Sequence, residues 1–223
     1  MRQCVALIAS PPGKSRRRYT RRVIRERILG TSAGYRAFRR LIKADRSMQV
    51  IVDEYVKPIP GCRVLDVGCG NADLATLLPA GVTYLGLDNN PKYIESARQR
   101  GIDVIEAHVD QLGKLGYEPF DVVVAIGLLH HLDDQTAMDL ICDVAKVLTP
   151  GGYLVTVDPV NHPNQSYVSR TIMRFDRGKH IRRESEYVTL AERAFDSPLP
   201  TVRYDLNPFP YAHCIITTAA MVS

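Results

Sequence analysis

Beyond residue 60, short apolar runs alternate with stretches whose apolar positions recur every three or four residues. Arg63–Val67, Thr83–Leu87, Asp103–Ala107, Phe120–Ile126 and Tyr153–Val157 have the composition of strands. Between them, Asp73–Leu78 predicts a short helix ended by Pro79-Ala80-Gly81. Asn90 caps a second helix, with Pro91 at its first position and Gly101 past its end. Asp133 or Asp134 opens a third, whose Ala137, Met138, Ile141, Val144, Ala145 and Leu148 share one face. Thr149-Pro150-Gly151-Gly152 breaks it. Strand and helix in strict alternation predict an α/β fold around a parallel sheet. The unbroken apolar run 120–126 predicts a strand covered on both faces.

The ends of the chain read differently. Residues 1–18, with Pro11-Pro12-Gly13 and a charge run, predict a disordered basic tail. Helices expected over 19–29, 34–43 and 46–56 form a cap spanning 19–58, ahead of an α/β core over 59–223. After strand five, 159–183 is polar and irregular, an insert in the core. An amphipathic helix over Glu184–Phe195 follows. Val202–Leu206 and Ala212–Ala219 then read as a closing antiparallel hairpin.

Candidate chemistry begins where the first strand stops. Val64-Leu65-Asp66-Val67-Gly68-Cys69-Gly70-Asn71-Ala72-Asp73 runs a strand into a glycine turn. Such a turn lets backbone amides and a helix N-terminus approach a ligand that a Cβ would exclude. Twenty residues after Gly68, the second strand ends in Asp88. An acid at that tip can accept both hydroxyls of a ribose. A nucleoside-bearing cofactor is the expected occupant.

Composition changes this picture little, and charge changes it more. A 45% apolar chain of 223 residues fits one α/β domain with an appendage. No apolar run approaches bilayer-spanning length, and the N-terminus is short for a signal peptide. The five cysteines lack metal-ligand spacing and read as reduced thiols of a cytoplasmic protein. Residues 14–43 hold twelve Lys or Arg and one Glu, so the remainder of a +5 chain carries −6. The basic stretch is thus a solvated helix face, a lure for an acidic substrate, or a contact with nucleic acid or an anionic membrane surface.

Four segments in order carry a family resemblance: Val64 to Gly70; Leu87-Asp88; Phe120 to Ala125 leading into Leu129-His130-His131-Leu132; and Leu148-Thr149-Pro150-Gly151-Gly152-Tyr153-Leu154. Together they resemble the class I S-adenosylmethionine-dependent methyltransferases, in particular the small-molecule group that includes quinone-modifying enzymes. The resemblance implies a Rossmann-like seven-stranded sheet of order 3-2-1-4-5-7-6 with an antiparallel last strand. It also implies S-adenosylmethionine as cofactor and S-adenosylhomocysteine as product. Asp66 would help hold the glycine loop and the cofactor's amino group. Gly68, Cys69 and Gly70 would line the methionine moiety, and Asp88, with Asn89 beside it, the ribose. Ile126 and Leu129 would cover the cofactor. The acid that often follows strand three is displaced here, His108 standing at that place, so Asp110 with a Val109 backbone contact takes the adenine. The third glycine of the turn is Ala72, acceptable if the position needs only close packing.

Methyl transfer to a hydroxyl or protonated amine needs a general base. His131, His130, Asp158 and His162 all lie at or beyond the carboxyl ends of strands four and five, His131 and then His162 being preferred. In the insert and the hairpin, Tyr167, Arg170, Arg174 and Tyr211 are candidate substrate contacts, which favours a polar or anionic small-molecule acceptor. Alternatively Arg177 and Arg182 pair with Asp176, Glu184 and Glu186 to fix a lid. Base methylation of nucleic acids is disfavoured, because strand four leads into Ile126-Gly127-Leu128-Leu129 rather than an Asn/Asp-Pro-Pro-aromatic sequence. A nicotinamide-dependent oxidoreductase and a non-catalytic cofactor-binding module are the competing readings.

Overall fold

The computed structural model describes residues 44–163, 165, 167, 178–207 and 212–218. The basic stretch 14–43, with the expected tail and two of the cap helices, lies outside the described residues, as do Arg170, Arg174, Asp176, Arg177 and Tyr211.

Seven strands form one sheet of order β3-β2-β1-β4-β5-β7-β6, the expected order. They are β1 (Arg63–Val67), β2 (Thr83–Asp88), β3 (Val104–Glu106), β4 (Phe120–Ile126), β5 (Leu148–Pro159), β6 (Leu199–Arg203) and β7 (His213–Thr217). The first five are parallel, and β7 runs antiparallel between β5 and β6. The chain reverses its direction of winding between β1 and β4, which opens a crevice beyond their carboxyl ends.

Both faces of the sheet are covered. Leu65, Val67, Val123 and Leu154 pack with Ala137, Leu140, Ile141 and Val144 of α3 (Asp134–Val147) and with Tyr187 and Leu190 of α4 (Glu184–Ala191). On the other face, Val64, Val122, Val124 and Val155 meet Ile51 of α1 (Ala44–Ile51) and Val52 and Val56 of the π-helical turn that extends it. Lys57 ends that helix in the left-handed region, its amide returning to the Val52 carbonyl at 2.8 Å. A smaller cluster joins Ala72 and Val104 to Ile94 and Ala97 of α2 (Pro91–Arg98). The caps are those expected: Asn90 accepts from the Lys92 amide at 3.1 Å, and Asp133 from the Thr136 amide at 2.9 Å.

The larger differences from the sequence reading each have a local reason. β5 starts at Leu148 rather than Tyr153, because the Thr149–Gly152 turn bulges out of the ladder with β4 instead of preceding it. The Asp121 carboxylate holds that bulge through Thr149 at 3.2 Å and also accepts from the Arg63 amide at 2.8 Å. The segment after the glycine turn forms only the 3₁₀ turn Leu74–Leu77. α4 stops at Ala191, its chain tightening through an Ala194-to-Ala191 bond before Ser197 with φ +47 and Pro198. β6 begins at Leu199, where its register with Thr217 starts, and ends at Arg203.

Candidate functional site

The glycine turn is tied to the tip of β2 rather than left open. Gly68 and Cys69 both donate their amides to the Leu87 carbonyl, at 2.7 and 3.0 Å. Gly70 donates to Asp88 Oδ2 at 2.9 Å, and the Asn90 amide donates to Asp88 Oδ1 at 2.8 Å. Three turn amides are therefore spent within the protein. With only a 3₁₀ turn behind them, the helix N-terminus expected here does not exist. What the turn offers a ligand is closeness. A Cβ at Gly68, where φ is +72, would come within 2.9 Å of Leu128 Cδ1. Ala72 also departs from expectation: its φ of +55 shows that the position wants glycine for its backbone angle, not only for packing.

Asp66 is buried beneath the turn, where Tyr84 donates its hydroxyl to Oδ2 at 2.9 Å. Burial pushes its carboxyl up to about 7, the Tyr84 bond opposing the rise and the charge of Asp88 adding to it. Cys69 shares this environment, and burial holds its thiol protonated. Asn71 is buried next to the turn; neither end of its carboxamide finds a partner among the described residues, while its main-chain carbonyl accepts from Arg100 at 2.8 Å. Asn89 is exposed at the end of β2. Beyond β3, the Val109 side chain is in the core, and exposed Asp110 pairs with His108 at 3.0 Å.

At the end of β4, Ile126 is half-buried, and Gly127, φ +66, donates its amide to the Val157 carbonyl at 2.7 Å. Leu129, expected over the cofactor, is instead turned into the core by the 3₁₀ turn Leu129–His131. Leu128 is the residue against Gly68.

That turn presents two histidines in opposite settings. His130 is buried; its Nδ1 lies 2.8 Å from Asp158 Oδ1, which also accepts the His130 amide at 3.1 Å. Asp158 Oδ2 is buried and has no hydrogen-bond partner among the described residues. His131 is exposed, its ring centroid 4.0 Å from that of His130. Asp158 is thus the partner of His130 through both ring and main chain. His162, beyond β5, is 2.6 Å from the Tyr204 hydroxyl through its Nδ1.

The described end of the insert is strapped onto this turn. Gly178 lies so close to the His130 ring that a Cβ there would fall 2.0 Å from Cδ2. The His180 amide donates to the His130 carbonyl at 3.0 Å. Arg182, 6% exposed, donates to the Leu129 carbonyl at 2.7 Å, the Leu132 carbonyl at 2.8 Å and Asp134 Oδ1 at 2.7 Å. Its partners are thus not Glu184 or Glu186; Glu186 accepts from the Arg183 amide instead. Tyr167 is 82% exposed. Sequence reasoning passed over Tyr84, Leu128 and Gly178. A glycine inside a strongly charged run was the one signal available for the last.

A family model described as a methyltransferase domain matches residues 59–201. A protein of Hahella chejuensis (strain KCTC 2396) named ubiquinone biosynthesis O-methyltransferase is 32% identical over 103 residues, covering 43% of this chain and 42% of its own. The chain spans less than half of that relative's length. A protein of the same name from Paracidovorax citrulli (strain AAC00-1) is 27% identical over 169 residues, covering 68% of this chain and 70% of its own. In structure, a SAM-dependent methyltransferase from Archaeoglobus fulgidus superposes with a TM-score of 0.66 at 19% identity, over 82% of this chain and 99% of that one. Among the described residues no helix is long and apolar enough to cross a membrane.

Proposed function

Because the chain belongs to the class I S-adenosylmethionine-dependent methyltransferases, we propose that it transfers the cofactor's methyl group to a small polar or anionic biosynthetic acceptor, at oxygen or nitrogen. The observation that carries this reading is the Asp88 carboxylate, fixed from both sides by the Gly70 and Asn90 amides at the tip of β2. A carboxylate held this way keeps lone pairs for two ribose hydroxyls and cannot swing away from them.

The donor set fits a cofactor that is cationic at one end and rich in hydroxyls in the middle. Among the described residues neither Asp66 nor Asp88 pairs with a lysine or arginine. Asp66 receives the ammonium group, and the main chain of Gly68, Cys69 and Gly70 lines the methionine portion. Asn89 flanks the ribose, Asp110 and the Val109 main chain take the adenine, and Ile126 with Leu128 closes the crevice from β4.

When bound, the cofactor supplies an electrophilic methyl group on a sulfonium. The protein's part is to hold an acceptor atom in line with it, a contribution of roughly 7–11 kcal/mol to the barrier. A base adds about 10²–10⁴ in rate for a hydroxyl or protonated amine. His131 and His162 are the proposed bases, both within reach of solvent at the ends of β4 and β5. The His130–Asp158 pair orients the turn that carries His131. The relatives' shared name supports a hydroxyl acceptor. Tyr167, Arg170, Arg174 and Tyr211 are the proposed contacts to a polar or anionic acceptor, and the basic stretch 14–43, by itself, a contact to an anionic surface.

Calorimetry with S-adenosylhomocysteine and with NADH, then transfer of a labelled methyl group to a panel of phenols, catechols and amines, tests this reading. Saturable homocysteine-nucleoside binding and a labelled product are expected. Binding of NADH instead overturns the cofactor assignment, and tight binding with no labelled product makes the chain a non-catalytic module.

A further inference from the structure

Tyr84 belongs to no strand-tip motif, yet among the described residues it is the one that donates to the buried acid under the glycine turn. Asp66 and Gly86 are register partners on adjacent parallel strands. Tyr84, two residues earlier on β2, brings its hydroxyl beneath the turn to Asp66 Oδ2 at 2.9 Å. The space is built for it: a Cβ at Gly86 would lie 2.9 Å from that hydroxyl and 2.8 Å from Cys69 Sγ. Asp66 Oδ1 makes no hydrogen bond among the described residues.

The electrostatics of the cluster are one-sided. The ionisable groups facing Asp66 are Tyr84 on β2, Cys69 in the turn and Asp88 at the tip of β2. Burial raises the Tyr84 phenol and the Cys69 thiol, so both stay protonated and neutral, each with a hydrogen to donate. Asp88 opposes a second negative charge. The bare pocket therefore favours a protonated Asp66, and the Tyr84 bond is what works against that preference.

We propose that Tyr84 is a positioning residue for cofactor binding: its phenol keeps Asp66 aimed and ready to ionise, so that capture of the cofactor's ammonium group expels one proton. The inference rests on the cofactor assignment above and deepens it. The Asp66 proton passes to buffer while the ammonium keeps its own, and the buried site trades a neutral acid for an ion pair.

Calorimetry with S-adenosylhomocysteine between about pH 5.5 and 8.5, in buffers of different ionisation enthalpy, reads both affinity and protons exchanged. For the unaltered chain, close to one proton is released at the acid end, and affinity falls about tenfold per unit below the Asp66 midpoint. Tyr84→Phe keeps the ring and removes the bond. Its midpoint moves up, so that it binds about three- to tenfold more weakly near pH 7 and approaches the unaltered chain near pH 8.5. Asp66→Asn binds weakly at every pH and releases no proton. A Tyr84→Phe deficit equal at all pH values reduces Tyr84 to packing and overturns the proposal, as does binding without proton release. No binding at any pH instead removes the cofactor assignment itself.

Discussion

Arg182 donates to the main-chain carbonyl of Leu129 across 2.7 Å, joining the end of the 159–183 insert to the turn that carries both histidines. The same guanidinium donates to the Leu132 carbonyl and to Asp134 Oδ1, so one side chain ties that turn to the first residue of α3.

Replacing Arg182 by Met leaves the two carbonyls and the Asp134 carboxylate without this donor. The expected loss of stability is about 2–4 kcal/mol, read by denaturant unfolding. Arg182→Lys recovers only part of it, since one ammonium cannot span three acceptors in a fixed plane. Equal stability of the Lys variant and the parent would show that charge alone suffices.

Asp88→Ala is expected to abolish S-adenosylhomocysteine binding in calorimetry. It also removes the acceptor for the Gly70 and Asn90 amides, so a loss of about 1–3 kcal/mol accompanies it. Asp88→Asn keeps one acceptor oxygen and is expected to fall between the two in stability while still binding poorly. Parent-like affinity in either variant removes Asp88 from the ribose.

The buried Asp66 carboxyl makes the ligand-free fold pH-dependent. Its folded value, pushed up from 3.8 to about 7, means that the folded chain holds a proton which the unfolded chain has already lost. That stability is complete below pH 3.8 and is lost as pH rises through about 7. At about 1.4 kcal/mol per unit the ceiling is a few kcal/mol. Asp66→Asn, still able to accept from Tyr84, should be more stable than the parent at pH 8 and lack this slope. Urea unfolding at pH 5.5 and 8 checks both, and a parent slope of the opposite sign would exclude Asp66 as its source.

Much of the scaffold was legible in the chain because its signals are local. The apolar run at β4, the Asn90-Pro91 cap and the Gly68–Asp88 spacing each needed only near neighbours, while the sheet order was implied by the family resemblance and not by any local signal. What escaped is long-range or rotational. The pairing of His130 with Asp158 joins residues 28 apart in sequence, and Arg182 reaches back 53 to Leu129. Whether Leu128 or Leu129 faces the turn depends on one 3₁₀ rotation that side-chain identity does not encode. The Tyr84 bond needed the β1–β2 register before it could be seen.

Gly178, pressed against the His130 ring, has one more consequence. A position that admits only a hydrogen leaves no room for a side chain, so the stretch from Gly178 to Arg182 belongs to the scaffold as much as to the insert. A designer grafting a new segment into the insert would keep Gly178 to Arg182 as the fixed hem to which it is sewn.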